Sequence, residues 1–143
     1  MSFAALVFAA VVVAMHPTLP LPPDPTLHVF RESMDGGVQQ VVANSDASDA
    51  FLVRMRRQLR DEIPGLERGE FPDPAGAGKT PAVATLRSAA GHLVVTYEDI
   101  PRGGQLRYRS HDAKVISALH QWMAATVQAE RKRHPGGPGE GGE

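Results

Sequence analysis

Two histidines, His28 and His120, have side chains of the type that binds metal ions. His28 lies in a segment typical of a β-strand, and His120 lies in a segment typical of an amphipathic helix. Imidazole is a frequent ligand of zinc and copper, although such sites usually contain three or four ligands. The chain has no cysteine, which excludes thiolate ligands and thiolate nucleophiles. We therefore expect no cofactor beyond a residual zinc, copper or small polar ligand site at these two histidines.

His120 could instead act as the general base of a small hydrolase or lyase, with Glu98 or Asp99 as its carboxylate partner. A general base must lie within about 2.6–3.2 Å of its partner, or one water away. Glu98 and Asp99 are adjacent in a predicted strand and point to opposite faces, so they cannot form an acid/base pair with each other. We assign no catalytic residue. The polar residues that could complete a ligand site are Gln58, Glu98, Asp99, Arg107 and Arg109.

Residues 76–80 (GAGKT) end like a phosphate-binding loop. That motif requires another glycine at the position of Asp73, and it requires a following helix whose N–H groups converge on the phosphate. Pro81 interrupts the segment that should form this helix. We therefore predict an irregular connector here and no nucleotide site.

The charge balance argues against a nucleic-acid partner. The 143 residues include 15 Lys and Arg against 16 Asp and Glu, for a formal net charge of -1. Nucleic-acid binders usually carry a clustered excess of positive charge. The length fits one domain, and the hydrophobic content of 42% fits a globular fold.

The two ends have compositions that do not build a core. Residues 1–15 contain a long apolar run typical of a signal peptide, which would make the protein periplasmic or secreted, or of a retained N-terminal hydrophobic segment. Either way we expect no stable membrane span after processing, because the run is too short. Residues 16–25 are proline-rich and predict a stiff linker. Residues 132–143 are rich in Gly and Pro and predict a disordered tail. The predicted domain is therefore residues 26–131.

The first half of this domain predicts two strands and a helix. Residues 27–33 and 38–44 are rich in strand-forming residues, and the Asp35-Gly36-Gly37 turn between them is a strong hairpin signal. Ser45 or Ser48 can cap the helix that follows, whose apolar residues recur at helical spacing. We expect Pro64 and Gly65 to end it.

The second half repeats this plan. Residues 92–98 and 105–110 predict strands around a turn at residues 99–104, and Ser110 or Asp112 can cap a final helix. A short helical turn is expected near residues 82–87. We predict an α+β fold of two ββα units, in which two helices pack on one face of a four-stranded antiparallel sheet. The strand order stays open. Exposed strand edges of such a repeat could also pair, giving a homodimer or a protein-interaction module.

An ordered series of short segments resembles a family of short exported bacterial proteins often labelled aspartate carbamoyltransferase. The resemblance covers roughly residues 26–130 and rests on these segments: 28–30 (HVF), 35–42 (DGGVQQVV), 68–71 (RGEF), 97–101 (YEDIP) and 118–122 (ALHQW). The chain lacks the Ser-Thr-Arg-Thr motif of a carbamoyltransferase and has about half the length, so the resemblance does not imply that activity.

What the resemblance implies is a histidine-rich site of metal-binding type. His28 and His120 match the family pattern, whereas Gln58 and Gly76 stand where the pattern has further histidines. Ala129-Glu130 replaces its terminal Asp-His pair. This chain therefore resembles a degenerate member in which most of the ligands have been replaced.

Overall fold

The computed structural model describes residues 26–133 of the chain. The predicted signal segment, the proline-rich linker and residues 134–143 of the predicted tail lie outside the described residues. The elements follow one another as β1 (Thr26–Ser33), β2 (Gly36–Ala43), α1 (Asp49–Asp61), α2 (Ile63–Glu67), α3 (Pro81–Arg87), β3 (Val94–Ile100), β4 (Gly103–Arg109) and α4 (Ala113–Arg133).

The four strands form one antiparallel sheet in the order β1-β2-β4-β3. Both hairpins are present, and the second strand of each lies in the centre of the sheet. Ser33 pairs with Gly36 and Ile100 pairs with Gly103, so each turn contains two residues. Arg102 takes a φ of 61°, which lets the second turn close this tightly. The predicted α+β class and the four-stranded antiparallel sheet are confirmed.

The prediction of two helices is wrong, because the chain forms more helix than the repeat suggests. Pro64 does not end the helical path: it lies in the first turn of α2, where its missing N–H is not needed. The chain therefore continues from α1 into α2 after a junction at Glu62. The short helix predicted near residues 82–87 forms α3.

Polar residues that the sequence offers as helix caps lie at the starts of α1 and α4. The Ser48 hydroxyl accepts a hydrogen bond from the Phe51 N–H at 3.0 Å and begins α1. The Asp112 carboxylate accepts one from the Lys114 N–H at 2.9 Å, immediately before α4. Each cap satisfies a backbone donor that the first helical turn cannot pair internally.

The helix of each half packs against the hairpin of the other half. Within the sheet, α1 contacts mainly β4 and β3, and α4 contacts mainly β2 and β1; α4 also packs against α3. A glycine on the sheet lets each of these two helices approach its hairpin closely. A Cβ at Gly37 would lie 2.5 Å from Met123 Cε of α4, and a Cβ at Gly104 would lie 2.9 Å from Leu59 Cδ1 of α1. Each of these two helices therefore crosses to the hairpin that is more distant in the sequence.

An aromatic cluster around Trp122 holds the core between the sheet and α4. Trp122 is fully buried and lies edge-on to three rings, those of Phe30, Phe71 and Tyr108. Its Nε1 donates a hydrogen bond to the Pro72 carbonyl oxygen at 3.0 Å. The indole therefore anchors the connector as well as the sheet.

Candidate functional site

His28 belongs to a hydrogen-bonded chain that crosses the helix side of the sheet. Its Nδ1 lies 3.3 Å from Gln39 Nε2, and its Nε2 lies 3.3 Å from Thr26 Oγ1. Gln39 Oε1 accepts a hydrogen bond from the Tyr108 hydroxyl at 2.7 Å. Gln39 and Tyr108 are fully buried, so the chain satisfies polar groups that could not reach water.

His120 is bound to the first hairpin. Its Nε2 lies 2.9 Å from the carbonyl oxygens of both Ser33 and Gly36. Since carbonyl oxygens only accept, Nε2 carries the hydrogen. The carboxylate nearest to the ring is that of Glu32, with Oε1 3.7 Å from Nδ1. The expected pairing of His120 with Glu98 or Asp99 is therefore not found: the helix crosses to the other hairpin, which brings Glu32 to it instead.

The fold does not bring His28 and His120 together as a ligand pair. His120 is bound beside Ser33, which follows His28 by five residues, or about 16 Å of extended strand. Within residues 26–133, no group of three His, Asp or Glu side chains is placed to hold a metal ion. His28 instead hydrogen-bonds within the sheet and His120 caps a turn.

Arg56 of α1 is bound to the second hairpin in the same way. Its Nε donates to the Gly103 carbonyl oxygen at 2.9 Å, and its Nη2 donates to the Ile100 carbonyl oxygen at 2.8 Å. The carboxylate of Asp99 lies 3.7 Å from Arg56 Nε. Asp99, one of the predicted polar partners, therefore belongs to a tie between helix and hairpin.

Tyr97 and Arg60 surround the same carboxylate. The Tyr97 hydroxyl donates a hydrogen bond to Asp99 Oδ1 at 2.6 Å. Burial, this hydrogen bond and the negative charge together raise the pKa of Tyr97 to about 12. The Arg60 guanidinium lies over the Tyr97 ring, 5.2 Å from its centroid.

Glu62 is a buried carboxyl group that the sequence prediction missed. It is only 1% exposed, at the junction of α1 and α2. Burial raises its pKa to about 8; the nearby Gln58 amide opposes this less strongly, and the charge of Asp61 raises the pKa further. Glu62 was detectable, because it continues the helical spacing of Leu59 and Leu66 on the buried stripe. Gln58, a predicted site residue, lies beside the Glu62 carboxyl group and lowers its pKa.

The segment that resembles a phosphate loop is closed by an aspartate. Asp73 Oδ2 accepts hydrogen bonds from the N–H groups of Lys79 and Thr80, at 3.1 and 3.0 Å, and Oδ1 accepts one from Ala75 at 3.1 Å. Partial burial alone would raise the pKa of Asp73, but these hydrogen bonds outweigh it and lower the pKa. The carboxylate thus occupies the place that a phosphate would need.

A shallow pocket of about 290 Å³ lies between the first hairpin turn, the start of β3 and the start of α4. Arg109, a predicted site residue, lines it together with Asp35, His92, His111 and Asp112. The lining contains one guanidinium and two carboxylates, so it has no excess of positive charge. Asp35 and Asp112 also accept hydrogen bonds, from Ser33 and from Lys114.

The helices leave the other side of the sheet without a covering element among residues 26–133. We define the uncovered face as the strand side chains that alternate with the buried ones. Arg107 and Arg109 point to this face, because they alternate along β4 with the buried Leu106 and Tyr108. Arg31 points there too, because it and Arg107 both pair in register with Val38. Glu98 points there as well. Gln105 accepts a hydrogen bond from Gln40 at 2.8 Å and donates one to Glu98 at 3.4 Å.

Glu67 closes one edge of the sheet. On β3, the outward N–H of Val95 donates a hydrogen bond to Glu67 Oε2 at 2.9 Å. This carboxylate occupies the edge that another strand would need. Strand β1 forms the other edge of the described sheet.

No protein-family model, curated protein or solved structure matches this chain. The resemblance drawn from the short segments of the sequence stays a prediction. Among residues 26–133, no helix combines the length and the apolar character that a membrane span needs.

Proposed function

We propose that the domain is a protein-interaction module that binds its partner through the uncovered face of the sheet. The observation that carries this proposal is the exposed apolar surface of this face. Leu27 of β1 is 60% exposed and Val94 of β3 is 50% exposed, although each lies next to a buried residue of its own strand. Contact with another protein would remove these side chains from water, which is favourable.

Valines of the first hairpin extend this apolar surface. Leu27 pairs in register with Val42, so the two side chains lie side by side on the face. Val29, Val38 and Val42 are half-buried, and within residues 26–133 none of them is among the side chains that pack against the core. These aliphatic groups therefore form a surface that is separate from the core and is available to a partner.

The charges of the face favour a different protein over a second copy of this chain. Arg31, Arg107 and Arg109 point to the face, whereas Glu98 is the strand carboxylate that points there. Two copies that met through this face would bring arginines close to arginines, which is unfavourable. A different protein can supply charges that complement them.

The contacts of His120 support an interaction module over a small hydrolase. Its Nε2 hydrogen is shared by two backbone carbonyls, and its nearest carboxylate is 3.7 Å away. Arg56, which cannot act as a base near neutral pH, makes the equivalent contacts in the other half. We also propose that the protein is exported, on the strength of the apolar run in residues 1–15.

Peptides selected on the full chain from a phage-displayed random library test the binding face, with their affinities measured by fluorescence anisotropy. We expect saturable binding that falls by about tenfold or more in Leu27→Thr/Val94→Thr, because threonine keeps the strand propensity and removes apolar surface. Met34→Thr/Val53→Thr is the matched control. Met34 and Val53 are also exposed apolar side chains, but they lie in the first turn and on α1, so this variant should keep the wild-type affinity.

Three results of this selection would overturn the proposal. These are a library that yields no saturable binder, peptides that bind Leu27→Thr/Val94→Thr as tightly as the wild type, and an equal loss in the two double variants. Sedimentation velocity tests the other occupant: a wild-type dimer that becomes monomeric in Leu27→Thr/Val94→Thr would assign the face to a second copy of the chain. Equal circular dichroism of the variants and the wild type separates a loss of binding from a loss of fold.

A further inference from the structure

We infer that the uncovered face of the sheet binds an acidic partner protein that also carries apolar side chains. The face lies on the surface of the sheet and not at its edge. The inference rests on the proposed function, and on the charges of the face, their spacing and the apolar side chains between them. Library peptides that bind the face without acidic residues would refute it and leave the proposed function standing.

None of the three arginines of the face forms a salt bridge within the described part of the chain. However, Arg109 also lines the pocket that contains Asp35 and Asp112. Glu98 is the strand carboxylate that points to this face, and it accepts a hydrogen bond from Gln105. Among the strand residues that point to it, the face therefore carries three arginines against one glutamate, in a chain whose formal net charge is -1.

The three arginines lie at distances that one polypeptide segment can match. Arg31 and Arg107 both pair with Val38, so their strands are two spacings apart, or about 10 Å. Arg107 and Arg109 are two residues apart on one strand, or about 7 Å. Carboxylates at alternate positions of an extended segment are also about 7 Å apart, so they match the spacing of Arg107 and Arg109. A guanidinium group can bind a carboxylate through two parallel hydrogen bonds.

Apolar side chains lie among these charges and decide the class of partner. Leu27 is 60% exposed and Val94 is 50% exposed, and Val29, Val38 and Val42 are half-buried beside them. Arginine with exposed aliphatic groups is typical of protein interfaces. A nucleic acid would leave the aliphatic groups without complementary surface.

The experiment measures binding of a synthetic peptide of alternating Glu and Leu to the full chain, by fluorescence anisotropy at low and high salt. We expect saturable binding that weakens with salt and falls at least tenfold in the double variant Arg31→Glu/Arg109→Glu. Both positions are exposed, so the fold should tolerate the change. Arg54→Glu/Arg57→Glu is the matched control, since it reverses two exposed charges on α1 and should keep the wild-type affinity.

Several results would overturn the inference. These are no binding by the wild type, an equal loss in the two double variants, or equal affinity for a Glu-only peptide, which would indicate charge alone. Tighter binding of single-stranded DNA or of phosphatidylglycerol vesicles, lost in Arg31→Glu/Arg109→Glu, would assign the face to another class of partner. Circular dichroism of each variant confirms that a loss of binding is not a loss of fold.

Discussion

Arg56 and His120 occupy equivalent places in the two halves of the fold. Each donates to two backbone carbonyls that flank the turn of the opposite hairpin, at 2.8 to 2.9 Å. Each also has a carboxylate at 3.7 Å, Asp99 for Arg56 and Glu32 for His120. Both donors satisfy turn carbonyls and tie a helix to the sheet, which explains why these polar side chains lie on helix faces that contact the hairpins.

We expect both ties to stabilise the fold. Arg56→Ala should lower the free energy of unfolding by about 1.5–3 kcal/mol and His120→Ala by about 1 kcal/mol, since hydrogen bonds from a charged donor are stronger. Urea unfolding measures both, with the exposed Arg57→Ala and Gln121→Ala as controls. A His120→Ala variant no less stable than Gln121→Ala would show that the tie contributes nothing.

Glu62 should make the stability of the protein fall as pH rises. Its pKa is about 8 in the fold against an ordinary value of 4.5, so the folded state holds a proton that the unfolded state releases. The resulting stability is fully present below pH 4.5 and is lost as pH approaches about 8, by on the order of 1 kcal/mol per unit. Urea titrations at several pH values check this. Glu62→Gln should flatten the profile and the exposed Asp61→Asn should not; parallel profiles for Glu62→Gln and the wild type would contradict the assignment.

Gly103 should tolerate alanine less well than Gly104 does. A Cβ at Gly103 would collide with the carbonyl oxygen of Val41 on the neighbouring strand, which cannot move without breaking the sheet. A Cβ at Gly104 would meet side chains, those of Tyr97 and Leu59, which can shift. We expect about 3 kcal/mol or more for Gly103→Ala and about 1–2 kcal/mol for Gly104→Ala in thermal or urea unfolding. The reverse order would be inconsistent with the described strand spacing.

The buried bond between Tyr108 and Gln39 should appear as a coupling energy. Tyr108→Phe leaves Gln39 Oε1 without its donor, and Gln39→Leu leaves the Tyr108 hydroxyl without its acceptor. Each change should cost about 1–3 kcal/mol. The double variant should cost less than the sum of the two, by about 0.5–3 kcal/mol, because it removes both groups at once. Strict additivity in a double-mutant cycle would rule out a direct interaction.

Local features of the fold could be predicted because short segments of chain decide them. The glycine-containing turns, the cap at Ser48 and the buried stripe of α1 each depend on residues within a few positions of one another. The path through Pro64 could not be predicted in the same way. Proline is tolerated in the first turn of a helix, and only the packing of α2 against β3 keeps the chain helical there.

The sequence by itself determined the two hairpins and their turns, since strand-forming residues and turn chemistry act locally. Only the tertiary structure decided which helix packs against which hairpin. Long-range packing places α4 over β1 and β2, so that His120 meets Glu32, and places α1 over β3 and β4, so that Arg56 meets Asp99. The same packing closes one sheet edge with Glu67. These contacts join residues that are far apart in the chain. Their energies depend on which surfaces come together, and a local sequence pattern does not contain that information.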